Sequence, residues 1–121
     1  MGTAYELRGV RILECAVDGK PPRTAKDATD IITEAWAHGA KLIALRADWL
    51  GDDFVRLSTR IAGEMVQKLL DYGLRVAIVG DISRRVAEND ALRDWVRECN
   101  RGRRVWFVAD LEELAERLAP A

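Results

Sequence analysis

The chain is poor in the side chains that ordinarily carry chemistry. Its 121 residues include one histidine, two cysteines and three prolines. His38 stands alone beside Gly39, so the sequence offers no serine–histidine or cysteine–histidine arrangement; a cation there offsets the dipole at a helix end. Cys15 and Cys99 are far apart and match no metal spacing. Each falls within an apolar or amphipathic stretch, and two reduced thiols are the expectation. No apolar run approaches the ~20 residues of a membrane span. The start, Met1 to Glu6, lacks a basic-then-apolar signal segment. A cytoplasmic protein with no membrane contact is therefore expected. An excess of either charge is missing too: the formal net charge is −1, so no global field draws in nucleic acid, which is not an expected partner. A Gly-rich phosphate loop is absent, because Val79-Gly80-Asp81-Ile82-Ser83 has one glycine and no lysine. With no linker or low-complexity tract, residues 1–121 are expected to form one domain.

What is present is a repeated pattern. Three apolar runs each end in an aspartate: Leu42 to Asp48, Val76 to Asp81 and Val105 to Asp110. Each has the length and content of a buried strand, and helical periodicity lies between them. Ahead of them, Ala4 to Arg8 and Val10 to Val17 alternate roughly and turn near Gly9, so these strands must be antiparallel. A helix follows Pro21-Pro22, capped by Thr24 or Asp27, with Ala28, Ile31, Ile32, Ala35 and Trp36 on its apolar face and Gly39 as its stop. A longer one carries Phe54, Leu57, Ile61, Met65, Val66, Leu69 and Leu70, with Ala62-Gly63 expected on its inner side, and closes at Gly73. Asp90 to Cys99 is helical, with Leu92, Trp95 and Val96 inward, and Asn100-Arg101-Gly102 stops it with a left-handed glycine. Asp110-Leu-Glu-Glu113 opens a last short helix through Leu118 as a capping box. The order β-β-α-β-α-β-α-β-α predicts an α/β fold. It has a mixed sheet of about five strands with an N-terminal antiparallel edge, and about four helices.

Asp53-Phe54-Val-Arg-Leu57-Ser-Thr59-Arg-Ile-Ala62-Gly63-Glu64-Met-Val-Gln67-Lys68, with Ala77-Ile-Val-Gly80-Asp81 and Asn100-Arg101-Gly102, resembles bacterial proteins of domain-of-unknown-function family 4180. That resemblance runs over nearly the whole chain and implies no particular activity. The element order also resembles the STAS domain of sulfate transporters and anti-sigma factor antagonists. In the antagonists a phosphorylatable Ser or Thr sits near the start of the helix after the central strand, and Ser58 and Thr59 fall near that place. The antagonists have an Asp-Ser-Ser-Gly type of turn there, whereas this chain reads Arg56-Leu57-Ser58-Thr59-Arg60.

Four groups of residues are candidates. Asp48, Asp81 and Asp110 could converge on a cation, since hard cations need several oxygens; the alternative is that each caps the helix or turn that follows it. No metal or cofactor is expected. Trp49, among Asp48, Asp52 and Asp53, could dock a basic partner or hold a ligand, or could fold back while an aspartate caps the long helix. Ser58 and Thr59 are candidate phosphorylation sites. Arg84, Arg85, Arg93, Arg97, Arg101, Arg103 and Arg104 cluster in sequence, but interleaved Glu88, Asp90, Asp94 and Glu98 read as an ion-paired, solvated helix. The interaction surface is therefore expected around Asp48, Trp49, Asp52, Asp53, Asp81 and Ser83, together with Asn100, Arg101 and Arg103. The expected role is a non-enzymatic regulatory or protein-interaction module with an unidentified protein partner, open to homodimerisation. The rival is a small-molecule-binding protein or enzyme that uses the edge at Asp48, Trp49 and Asp81.

Overall fold

The structure, a computed structural model, describes residues 3–15, 25–47 and 61–118. In chain order its elements are β1 (Thr3–Leu7), β2 (Val10–Cys15), α1 (Ala25–His38), β3 (Leu42–Arg46), α2 (Ile61–Asp71), β4 (Arg75–Val79), α3 (Ser83–Glu88), α4 (Asp90–Arg101), β5 (Val105–Val108) and α5 (Leu111–Leu118). The strands form one sheet in the order β1-β2-β3-β4-β5. β1 is antiparallel to β2, and β2 to β5 run parallel. The mixed α/β architecture is the expected one.

Local chemistry sets the boundaries. Leu7 faces Val10 across a two-residue turn. Arg8 and Gly9 there both have positive φ, 51° and 79°, the type I′ geometry that suits the twist of a hairpin. The two long helices stop in the same way. At the end of α1 the Gly39 N–H bonds the Trp36 carbonyl and the Ala40 N–H bonds that of Ala35; at the end of α2, Gly73 bonds Leu70 and Leu74 bonds Leu69. These are Schellman closures.

The helix from Ser83 has no counterpart in the expected element order. None of its residues is buried, so it carries no apolar period for a pattern to reveal. Asn89 separates it from α4: its backbone is extended and its side chain accepts the Leu92 N–H at 3.0 Å.

Because strand order follows chain order, each right-handed crossover advances the same way and lays its helix on the same face. That face holds the larger core. Leu13, Ile43, Leu45, Val76, Ile78 and Phe107 from the strands meet Ile31, Ile32, Met65, Val66, Leu69 and Leu92 from the helices. The other face buries Ile12, Leu42, Ala44, Ala77, Val79, Trp106 and Val108, with Leu111, Leu114 and Leu118 of α5 packed there. Two expectations fail. Gly63 is exposed and a Cβ on it would meet nothing within 4 Å, so it does not bring α2 close to the sheet. Trp36 is 59% exposed: the buried stripe of α1 is Ala28, Ile31, Ile32 and Ala35, and the residue one step round the helix falls off it.

Candidate functional site

A parallel sheet has two unlike edges, and the helices on it run opposite to the strands. Helix N-termini therefore gather where strands end, and helix C-termini where strands begin.

At the strand ends the described aspartates are committed to their own helices. The Asp110 carboxylate accepts the Glu113 N–H at 2.8 Å, and Glu113 reaches back to accept the Ala109 N–H at 2.8 Å. This is a reciprocal cap. Asp81 accepts the Ser83 N–H at 2.9 Å. The Ser83 hydroxyl and backbone N–H together hold the Asp81 carboxyl below its ordinary value of 3.8, since hydrogen bonds to the charged form favour it. Ser83 is thus the partner of Asp81 and opens α3. Among the described residues, no group of three or more His, Cys, Asp or Glu is placed to hold a metal ion. Asp48, Trp49, Asp52, Asp53, Ser58 and Thr59 lie outside the described residues.

Asn100 has a specific structural task that spacing did not reveal. β5 is the last strand of the sheet. The Val76 N–H bonds the Arg104 carbonyl and the Gly80 N–H bonds that of Val108, so ladder alternation turns the polar groups of Phe107 off the free edge. The Asn100 side chain accepts the Phe107 N–H at 2.8 Å, and its amide donates to the Phe107 carbonyl at 3.4 Å. It stands in for a further strand and blunts the edge. Gly102 is not left-handed as expected: its φ is −90°, and its carbonyl accepts from the Trp106 indole N–H at 2.8 Å. Arg101 pairs with Glu98 at 3.8 Å, as Arg93 does with Asp90 at 3.2 Å, in keeping with an ion-paired surface helix. The Arg103 side chain is exposed and its carbonyl accepts from Arg75 Nε.

The strand beginnings are basic. Arg11, Lys41 and Arg104 form a row at the strand beginnings: the Lys41 N–H bonds the Arg11 carbonyl, the Arg75 N–H bonds that of Lys41, and the Val76 N–H bonds that of Arg104. Arg75 is registered with Leu42 rather than Lys41, so its side chain takes the opposite face of the sheet, with Trp106. Three arginines close helix C-termini. Arg11 donates to the His38 carbonyl of α1 at 3.2 Å, Arg104 to the Leu70 carbonyl of α2 at 2.9 Å, and Arg117 to the Asn100 carbonyl of α4 at 3.2 Å. Cations at these ends offset the helix dipoles. The Arg75 and Arg117 guanidiniums also lie 4.6 and 5.5 Å from the centre of the Trp106 ring, within cation–π range.

Beside this row sit the two exposed large hydrophobic residues of the described chain, Trp36 and Tyr72. Their rings meet edge to face with centroids 5.7 Å apart. The helical period expects Trp36 on the apolar face of α1 and assigns Tyr72 no place. The signal available was Tyr72 directly before the stop Gly73, where no core face requires an aromatic.

Neither thiol is a nucleophile near neutrality. Burial, with the neighbouring Glu34 and Glu14 carboxylates, pushes Cys15 up to about 12, and burial also raises Cys99. Both cysteines are free. Among the described residues no helix is long and apolar enough to cross a membrane.

The fold and these edges define an α/β chain built on a mixed five-stranded sheet, with an antiparallel hairpin at one side. The chain belongs to the family described as Domain of unknown function (DUF4180), whose model matches residues 7–118. A search of the curated proteins found no match, and neither did a search of the solved structures.

Proposed function

We propose that this chain is a non-enzymatic regulatory or protein-interaction module of the bacterial cytoplasm, with a STAS-like arrangement, and that Trp36 and Tyr72 lie at the centre of its contact surface. The aromatic pair carries the reading. The two residues are 59% and 50% exposed, Trp36 on α1 and Tyr72 just past the end of α2, whereas Ile31, Ile32, Met65, Val66 and Leu69 of these helices are buried. Exposed aromatics of this kind are enriched at the energetic centres of protein interfaces. The element order, a hairpin followed by three parallel strands reached through helices, supports the STAS-like part by analogy of fold. The rival small-molecule site has weaker support, because the Asp81 carboxylate is engaged by Ser83 and that of Asp110 by Glu113.

Quantitative affinity capture from bacterial cytosol tests the reading, with the native chain and a Trp36→Ala/Tyr72→Ala variant run side by side. A protein retained by the native chain and lost from the variant is expected. Identical captures by the two forms would overturn it.

A further inference from the structure

The aromatic pair does not stand alone, and its surroundings narrow what can dock there. Arg11 binds the carbonyl two residues beyond Trp36, and Arg104 binds the carbonyl two residues before Tyr72. The pair is therefore bracketed by guanidiniums anchored to the ends of the two helices that carry it. Arg11, Lys41 and Arg104 supply a row of cations at the beginnings of β2, β3 and β5, whereas Arg75, at that of β4, turns to the opposite face over Trp106. At a strand spacing of about 4.8 Å the row spans roughly 14 Å. Exposed Arg8 and Arg103 extend it at either end. Arg11, Arg75, Arg104 and Arg117 spend their hydrogen bonds on backbone carbonyls, and among the described residues none of the four has a carboxylate partner.

Helix ends alone do not account for this charge. α1, α2 and α4 already receive Arg11, Arg104 and Arg117, whereas the exposed Lys41 and Arg103 side chains close no helix. The surplus stands next to the exposed aromatics. A surface with an aromatic centre and a cationic rim is complementary to an apolar anchor flanked by carboxylates. The Trp36 and Tyr72 rings are inclined at 60°, so they do not form the parallel platform on which successive nucleobases stack. A net charge of −1 also gives a long polyanion no attraction beyond the patch itself.

We propose that the strand-beginning edge, with Trp36 and Tyr72 at its centre and Arg11, Lys41 and Arg104 as its rim, docks an acidic protein segment that carries an apolar anchor residue. This rests on the interaction reading above and adds the chemistry of the partner.

The probe is a short synthetic peptide of glutamates interspersed with leucines, titrated into the full chain while the Trp36 indole resonance and the Gly39 and Gly73 backbone amide resonances are followed, the amides giving the affinity in the variant that lacks Trp36. Binding that weakens with added salt is expected, with affinity lowered about tenfold or more in Trp36→Ala/Tyr72→Ala and in Lys41→Glu/Arg103→Glu. Both variants are checked for native amide dispersion. Affinity lost in the aromatic variant but unchanged in the charge variant and by salt would overturn the acidic partner and leave the interaction reading standing. No response of Trp36 to the peptide would overturn the acidic partner as well. A single-stranded oligothymidine that binds as well as the peptide would overturn it in favour of nucleic acid. A Trp36 shift that follows protein concentration alone would overturn it in favour of a second copy of the chain.

Discussion

The two edges of the sheet close their helices with side chains of opposite charge for the same reason, and yet they differ in what is left over. Where strands end, Asp81 and Asp110 satisfy the first N–H groups of α3 and α5. Where strands begin, Arg11, Arg104 and Arg117 satisfy the last carbonyls of α1, α2 and α4. Helices aligned on one sheet demand this polarity. A formal charge of −1 conceals it, because the acids and bases nearly cancel. At the strand ends, capping absorbs both described aspartates. At the strand beginnings, capping leaves exposed cations beside two exposed aromatic rings. Charge placed by helix dipoles is thus weak ground for a functional site, and the excess over that demand is the informative quantity.

The comparison can be strained first at two glycines, one on each edge. Gly80, after β4, has φ +146°, and a Cβ there would lie 2.7 Å from the Ala47 Cβ. Gly73, before β4, has φ +80° with nothing within 4 Å of a Cβ. Gly80→Ala should cost about 3–4 kcal/mol, from backbone strain plus a clash between packed strands. Gly73→Ala should cost about 1–2 kcal/mol, from strain alone. Denaturant midpoints compare the two, and equal losses would mean that the strand ends are no more tightly packed than the beginnings.

Asn100 is the next lever. It guards the free side of β5 through the backbone of Phe107. Asn100→Ala should lose about 1–3 kcal/mol by leaving that pair without partners, and Asn100→Asp, which keeps the acceptor and removes the donor, should fall between. Faster amide exchange at Phe107, with the rest of β5 unchanged, is the local check.

Much of this was legible in the residues. The buried strands announced themselves in the apolar runs Leu42 to Asp48, Val76 to Asp81 and Val105 to Asp110, which hold nearly all of β3, β4 and β5, since strands covered on both faces read as unbroken apolar runs. Gly39 and Gly73 marked the helix stops and Asp110 with Glu113 the cap, because each signal is local in sequence. What escaped was long-range or non-periodic. α3 buries nothing and so has no period. The row from Arg11 to Arg104 joins residues scattered along the chain, and it exists only through parallel register. Trp36 follows Ala35, and a single step of about 100° separates a core residue from an exposed one.

Single caps on the two edges should then respond differently to salt. Asp110→Ala removes a direct cap bond and should cost about 1 kcal/mol. Arg104→Ala removes an exposed bond to the Leu70 carbonyl together with a cation from the end of α2 and should cost about 0.5 kcal/mol, the dipole part of which shrinks as salt screens it. Thermal midpoints at low and high ionic strength separate them: the Asp110→Ala deficit should persist and the Arg104→Ala deficit should fade. Equal fading in both would show that the acid also acts chiefly through charge rather than through its bond to Glu113.

The smallest expected effect is also the most selective for the strand ends. The Ser83 hydroxyl and N–H hold the Asp81 carboxyl below its ordinary value of 3.8. The folded chain therefore binds this proton less readily than the unfolded chain. The contribution of Asp81 is present above the ordinary value and is lost as pH falls through the lowered one, where the unfolded state takes up more protons. As pH falls from above the ordinary value through the lowered one, stability should thus decline slightly less steeply in Asp81→Asn than in the native chain. Ser83→Ala should flatten the decline in the same sense, because it takes away the hydroxyl that favours the carboxylate. Urea midpoints across that range are the measurement. An Asp81→Asn profile parallel to the native one would mean that this exposed carboxylate is held no differently folded than unfolded, and it would return Asp81 to the residues free to meet a ligand.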